Sequence, residues 1–93
     1  MSEVKIVRLI TGEELIATVK AGEYIIELSD VAILIPTQQN SLGLAPFLAY
    51  ASYKTLKLDV SHMMFMVDPV DDLKSQYQQM FNKIVTPPSS IIT

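Results

Sequence analysis

Two isolated glycines divide the first 36 residues into three short apolar segments. Gly12 separates residues 4–9 from residues 14–20, and Gly22 separates the latter from residues 24–36. Apolar and polar side chains alternate along the second segment, as in a strand with one buried face. Glycine between two such segments indicates a tight turn. The pattern predicts an antiparallel meander, in which the polar pair Ser29-Asp30 leaves open one bent third strand or two short ones.

No charged residue occurs from position 31 to position 53, although nine lie in residues 1–30 and eight in residues 54–93. Within this stretch, residues 42–51 are apolar on both faces of a predicted fourth strand, despite Gly43 and Pro46. Such a strand is normally covered on both sides. A single small domain has a high proportion of surface, so a stretch of this kind is hard to bury within it.

Residues 56–67 supply the last predicted strand, and a helix follows it. Asp68 is a candidate N-cap and Pro69 suits a first helical turn. A helical stripe of apolar residues comprises Leu73, Tyr77, Met80, Phe81 and Ile84. We predict one domain over residues 1–86, with strands over about residues 4–67, a helix over about residues 69–85, and an extended tail over residues 87–93 after the Pro87-Pro88 pair.

No residue pattern predicts catalysis, a cofactor or a metal site. Asp59, Ser61 and His62 are the residue types of a hydrolytic triad, but neighbours on a strand point to opposite faces. Asp68, Asp71 and Asp72 can join His62 around a metal, yet helix capping and the helix dipole explain them better. Three isolated glycines exclude a phosphate-binding loop. We therefore predict that the protein is not an enzyme.

Charge and hydropathy set the expected location and partners. The net charge is -3 and there is no cysteine. The longest apolar run, residues 42–51, is half the roughly 20 residues that a membrane-spanning helix needs, and the N-terminus lacks the features of a secretory signal. We expect a cytoplasmic protein with no membrane partner and no nucleic-acid surface built on bulk positive charge.

The order of the predicted elements resembles the Sm-like (LSm) fold. Residues 4–30 are similar to the first Sm motif of that family, with matching positions at Gly12, Gly22, Leu28 and Asp30. The segments GLAPFLAYA and MMFMVDP are similar to the small Sm-like proteins of tailed phages, particularly those that infect cyanobacteria. The resemblance implies a mainly β fold, a five-stranded and strongly bent antiparallel barrel with a C-terminal α-helix, which assembles into a homo-oligomeric ring in the host cytoplasm.

The sequence departs from the family at the residues that hold RNA. Sm proteins use an Asn in the third strand and an Arg-Gly pair in the second motif, which would fall near Ile25 or Ile26 and near residues 49–51. None of these positions carries the required side chain. The family's common helix also precedes the first strand, whereas here it follows the last. Phe47 and Tyr50 remain candidate RNA-binding residues because an aromatic ring can stack on a base.

We also expect the subunits to assemble, since an open barrel leaves unpaired strand edges. A neighbouring copy can pair its own strand with such an edge. The Met63, Met64 and Met66 cluster is consistent with packing inside the subunit or at a subunit boundary. Two functions stay open, an RNA-binding or RNA-modulating ring and a ring that binds other proteins or acts structurally. The candidate interface residues are Ile33, Ile35, Leu44, Leu48, Met64 and Met66.

Overall fold

An antiparallel sheet and one helix make up the described part of the computed structural model, which comprises residues 2–36 and 42–81. No helix among these residues has the length and apolar character needed to cross a membrane. The predicted mainly β fold with a C-terminal helix is confirmed. The elements are β1 (Ser2–Leu9), β2 (Glu14–Lys20), β3 (Ile25–Pro36), β4 (Leu42–Pro46), β5 (Thr55–Asp59), a 3-10 turn (Val60–His62), β6 (Met63–Val67) and α1 (Asp71–Met80).

The first three strands form the predicted meander, and further strands pair on both sides of it. β6 pairs with the outer side of β1. β4 pairs with residues 32–36 of β3, and β5 pairs with residues 25–29 of the same strand. Because β2 occupies the other side of β3, β4 and β5 lie end to end along one edge. Two predictions were therefore wrong: the fourth strand ends at Pro46 instead of residue 51, and residues 56–67 form two strands instead of one.

An extra residue bends β3 at Asp30. The pairing with β2 shifts by one residue between Ile16 and Thr18, which places Asp30 and Val31 opposite Ala17. Asp30 has a φ of 50°, in the left-handed region that Asp tolerates better than most residues. The third segment is thus one bent strand. The bulge also changes which side chains face the inner core: Ile26 and Leu28 before the bend, Val31 and Ile33 after it.

The bent sheet separates two apolar clusters. The inner cluster fills its concave side, and its fully or nearly fully buried members are Val7, Leu15, Ala17, Val19, Ile26, Leu28 and Val31. The outer cluster lies between the sheet and α1, and its buried members are Ile16, Ala32, Leu34, Leu73 and Tyr77. β2 contributes to both clusters, so it is buried on both faces.

The short connection between β5 and β6 shows how strongly the sheet curls. In a flat sheet with the order β5, β3, β2, β1, β6, these two strands would lie four spacings, about 19 Å, apart. The three-residue 3-10 turn that joins them advances only about 2 Å per residue. The turn is held at both ends, since Val60 N donates to Tyr24 O and Ile10 N donates to His62 O, both at 2.9 Å. The sheet is strongly curled, and no pairing closes it within the described residues.

Tyr77 fastens α1 to the bend of β3. Its side chain is fully buried, and its hydroxyl donates to Asp30 O at 2.8 Å, with Ser29 O at 3.3 Å. The Thr18 hydroxyl lies 3.0 Å from the hydroxyl oxygen of Tyr77 and is its third hydrogen-bonding neighbour. One side chain thus joins the helix to both strands that form the bulge.

The start of α1 differs from the prediction. Val70 is the N-cap residue and makes no side-chain cap, and the helix begins at Asp71, with Asp72 in the same acidic first turn. Asp68 instead accepts a hydrogen bond from the Lys5 ammonium at 2.6 Å, so it ties the segment before the helix to β1. The predicted end of the helix near residue 85, the tail over residues 87–93 and the loop over residues 37–41 lie outside the described residues.

Both glycine turns occupy positions that a larger residue would strain. Gly12 has a φ of 107°, in the region that side chains rarely adopt. A Cβ atom on Gly22 would lie 2.4 Å from the carbonyl oxygen of Ile25. The turn assignments made from these two glycines are confirmed.

We expect Tyr77→Phe to lower the free energy of unfolding by about 1–3 kcal/mol, since the part-buried Thr18 hydroxyl and Asp30 carbonyl lose their shared partner. Urea unfolding followed by circular dichroism measures this change. Ser75→Ala, at an exposed position of the same helix, is the matched control and should change it by less than about 0.5 kcal/mol. Equal stability of the two variants would contradict the anchoring role of Tyr77.

The same residue should make stability depend on alkaline pH. Burial raises the pKa of Tyr77 above its usual value, although the Thr18 hydrogen bond opposes this. The unfolded chain then releases this proton first as the pH rises past about 10, so the free energy of unfolding falls. We expect a smaller fall in Tyr77→Phe, which keeps every other titrating group. Parallel pH profiles of the two proteins would contradict this assignment.

Candidate functional site

β6 presents an apolar outer edge. It pairs with β1 on one side only within the described residues, and Met64 is the extra residue of a bulge between the Leu9–Met63 and Arg8–Phe65 pairs. The bulge turns both Met63 and Met66 toward the inner cluster. The intervening and terminal side chains therefore face outward: Met64 is 59% exposed, Phe65 41% and Val67 45%.

The opposite edge is formed by β4 and β5. Along β5, Leu56 and Leu58 pack on the inner cluster, whereas Thr55, Lys57 and Asp59 are exposed. Beyond β3, no strand among the described residues pairs with either β4 or β5. In the part of the chain that the structure describes, the sheet thus ends in two strand edges, and such edges present backbone N–H and C=O groups with which another chain can pair.

The six predicted interface residues lie in different environments. Ile33 and Met66 pack on the inner cluster and Leu44 packs on the outer one, each of them half-buried. Leu48 is half-buried in the turn after β4. Ile35 and Met64 are exposed large apolar residues, and their part in an interface stays a prediction, as it does for the other four. Phe65 and Val67 were missed because their exposure depends on the β6 bulge.

The two aromatic candidates are separated by the structure. Phe47 packs on the inner cluster, and its backbone makes two hydrogen bonds. Its N–H donates to Val31 O at 2.9 Å, and its carbonyl accepts from the Tyr53 hydroxyl at 2.6 Å. Burial raises the pKa of Tyr53, and the negative charge of Asp30 adds to the effect. Tyr50 is 89% exposed, so only Tyr50 of the pair presents a ring for stacking.

A groove opens where β4 ends and β5 has not yet begun, beside the bend of β3. We call it the β3 groove. It has a volume of about 510 Å³. Its apolar wall includes Val31, Pro46, Phe47, Leu48, Ala51 and Phe81, and Asp30 and Lys54 contribute charge to it.

The 3-10 turn brings together residues that the sequence analysis treated separately. Tyr24, which sequence reasoning missed because it lies in a turn, is 71% exposed and is joined to Val60 by the backbone hydrogen bond described above. Ser61 and His62 are exposed in the 3-10 turn, so the strand assumed for them was wrong. Asp59 accepts a hydrogen bond from Ser61 N at 2.9 Å, which lowers the pKa of that carboxyl. The result is a capped 3-10 turn that is hydrogen-bonded to the backbone of Tyr24.

Charged side chains on β1 are largely engaged in ion pairs. Lys5 lies 2.6 Å from Asp68 and 3.3 Å from Glu3, and Arg8 lies 3.0 Å from Glu14. The Lys5 ammonium donates hydrogen bonds to Asp68 and Glu3, and these bonds raise the pKa of Lys5. Within residues 2–36 and 42–81, no group of three or more acidic, His or Cys side chains is placed to hold a metal ion.

The sequence matches no model of a known protein family, and it matches no curated protein either.

Substitution should distinguish the two aromatic candidates. We expect Phe47→Ala to lower the free energy of unfolding by about 2–4 kcal/mol, somewhat less than for a fully buried Phe, because it empties part of the inner cluster. Tyr50→Ala should change it by less than about 0.5 kcal/mol, because its side chain is exposed. Thermal unfolding measures both, and similar losses of stability would contradict the placement of the two rings.

Proposed function

We propose that the protein is a non-catalytic Sm-like protein that assembles edge to edge into a closed homo-oligomeric ring. The observation that carries this proposal is the pair of edges that no other strand of residues 2–36 and 42–81 covers, β4 with β5 on one side and β6 on the other. Because the two edges differ, they favour a heterologous contact, in which β6 of one copy pairs with the opposite edge of the next. A closed ring pairs every edge, whereas an open chain of subunits would grow into fibres.

The exposed side chains of β6 support the same proposal. Phe65 and Val67 are apolar and exposed on an edge strand, which in a lone subunit is a risk of uncontrolled aggregation. On β5 the exposed Lys57 and Asp59 carry opposite charges, so the β5 edge is polar where the β6 edge is apolar. Pairing of β6 with β5 of the next copy would cover the apolar side chains of β6.

We favour a structural or protein-binding role for the ring over RNA binding. Lys5 and Arg8 are engaged with carboxylates, the net charge is -3, and residues 31–53 carry no cation. Phosphate neutralisation by Lys and Arg supplies most of the sequence-independent affinity for nucleic acids. A surface of this composition is better suited to partner proteins, and the role requires no cofactor.

RNA binding is the second candidate, and the exposed aromatic rings favour it. Tyr24 lies beside the 3-10 turn that carries His62, and Tyr50 projects from the turn after β4. Stacking of one base on such a ring contributes about 1–3 kcal/mol. Repetition of the subunit around a ring would multiply these contacts.

The assembly proposal predicts that light scattering on micromolar protein gives a mass of several subunits. Phe65→Lys should shift the mass toward that of one 10.4 kDa subunit, since an edge lysine opposes strand pairing. Gln76→Lys, which adds the same charge on the exposed face of α1, is the matched control and should leave the mass unchanged. A monomeric parent protein, or a Phe65→Lys variant that assembles normally, would contradict the proposal.

A fluorescence titration with labelled uridine-rich and adenine-rich RNA distinguishes the two roles. The favoured role predicts no binding at 50 mM salt with micromolar protein. The RNA role predicts binding that weakens at 200 mM salt and weakens further in Tyr24→Ala or Tyr50→Ala. Binding of this kind would replace the favoured role by the second candidate without affecting the assembly proposal.

A further inference from the structure

A second pocket lies beside the 3-10 turn, where β5 ends and β6 begins. We call it the turn pocket. It has a volume of about 360 Å³, and the exposed surface of its wall is mostly apolar. The lining residues are Leu9 at the end of β1, Ile10 and Thr11 in the turn that follows, Leu58 of β5, and His62.

The turn pocket opens toward the inner cluster. Leu9 and Leu58 line it and also pack on that cluster, and Ile10, which is 56% exposed, adds an apolar part of the wall. Since no pairing closes the sheet among the described strands, an apolar side chain from outside can contact Leu9 and Leu58 here. Such a contact removes apolar surface from water and requires no hydrogen bond.

The same chain carries an exposed apolar side chain on its other edge. Met64 is the extra residue of the β6 bulge, and at 59% it is the most exposed of the large apolar residues of β6. A methionine side chain is unbranched and flexible, so it fits irregular apolar spaces. An apolar side chain at one place on a molecule and an apolar pocket at another form a heterologous contact when two copies meet.

Pairing of the two edges brings these features together. β5 and β6 contain five residues each, so β6 of one copy can span the whole of β5 in the next. Every strand pair of the described sheet is antiparallel, and an antiparallel contact sets the start of β6 beside the end of β5. Met64, the second residue of β6, then lies beside Leu58 and the turn pocket. In a parallel contact Val67 would lie there instead.

We propose that Met64 of one copy docks in the turn pocket of the neighbouring copy and thereby aligns β6 with β5. This inference rests on the ring assembly proposed above, and it adds the side chain and the pocket that set the position of one subunit against the next. Each subunit has one Met64 and one turn pocket, so a closed ring fills every pocket. The contact also covers the exposed side of Ile10.

A double-mutant cycle in the full chain tests the docking. Met64→Ala and Ile10→Ala change exposed residues, so both variants should fold, as circular dichroism can show. Light scattering over a dilution series gives the concentration at which half of the subunits are assembled. We expect each variant to raise this concentration, and the double variant to raise it at least about twofold less than the product of the two single effects. Tyr50→Ala, exposed outside the pocket, is the matched control, and its effect should multiply with that of Met64→Ala.

Cross-linking between single-cysteine variants tests the direction of the contact, because the parent chain has no cysteine. Thr11→Cys, on the pocket wall, is refolded together with Met64→Cys or with Val67→Cys and treated with a short bismaleimide. Gln76→Cys, exposed on α1, controls for random encounter. Each chain has one cysteine, so a link between two different variants joins two copies, and intact mass identifies it.

We expect the cross-link from Thr11→Cys to form mainly with Met64→Cys. Equal or higher yields with Val67→Cys or Gln76→Cys would overturn the docking, as would single effects that simply multiply in the cycle. Light scattering on the parent protein separates this failure from that of the ring. An assembled parent with no coupling between positions 10 and 64 overturns the docking alone, whereas a monomeric parent overturns the ring and the docking together.

Discussion

The bend of β3 at Asp30 is the constraint on which the remaining structure depends. The extra residue changes the face on which β3 places its apolar side chains, so one strand can line the inner cluster along a curved path. It also interrupts the strand edge, because β4 pairs beyond the bend and β5 pairs before it. Tyr77 binds the backbone at this point, which fixes α1 on the outer side of the sheet. The β3 groove is the space that this interruption leaves.

Curvature and the two strand edges are linked through the connection between β5 and β6. A three-residue turn can join these strands only if the sheet curls, and among the described strands the curl leaves one edge without a partner on each side of that turn. The uncharged stretch over residues 31–53 has a similar double role. Val31, Ala32 and Leu34 are buried inside the subunit, which needs no neighbour to cover them. Among the described residues of this stretch, the large apolar side chains of Ile35, Leu42 and Tyr50 are exposed, and they are open to contact with a partner.

The sequence was sufficient to predict features that depend on local periodicity. Alternating side chains and the two turn glycines predicted the meander, and a 3.6-residue period predicted a helix whose buried residues include Leu73 and Tyr77. Features that depend on tertiary pairing were not predictable. The fourth strand stops at Pro46 because β3 bends, and Asp68 binds Lys5 of β1 instead of capping α1. For the same reason the candidate edge was predicted only in part, since a bulge at Met64 decides that Met66 faces inward and Phe65 outward.

The central claim is that the two sheet edges pair with each other in neighbouring copies. Amide hydrogen exchange across a range of protein concentrations tests it most directly, because it reports on the backbone groups of β5 and β6 themselves. The account predicts slow exchange in both strands at high concentration and faster exchange in both on dilution, while β2, at the centre of the sheet, stays protected throughout. Exchange in β5 and β6 that does not change with concentration, in a protein that is monomeric over the whole range, would contradict the claim.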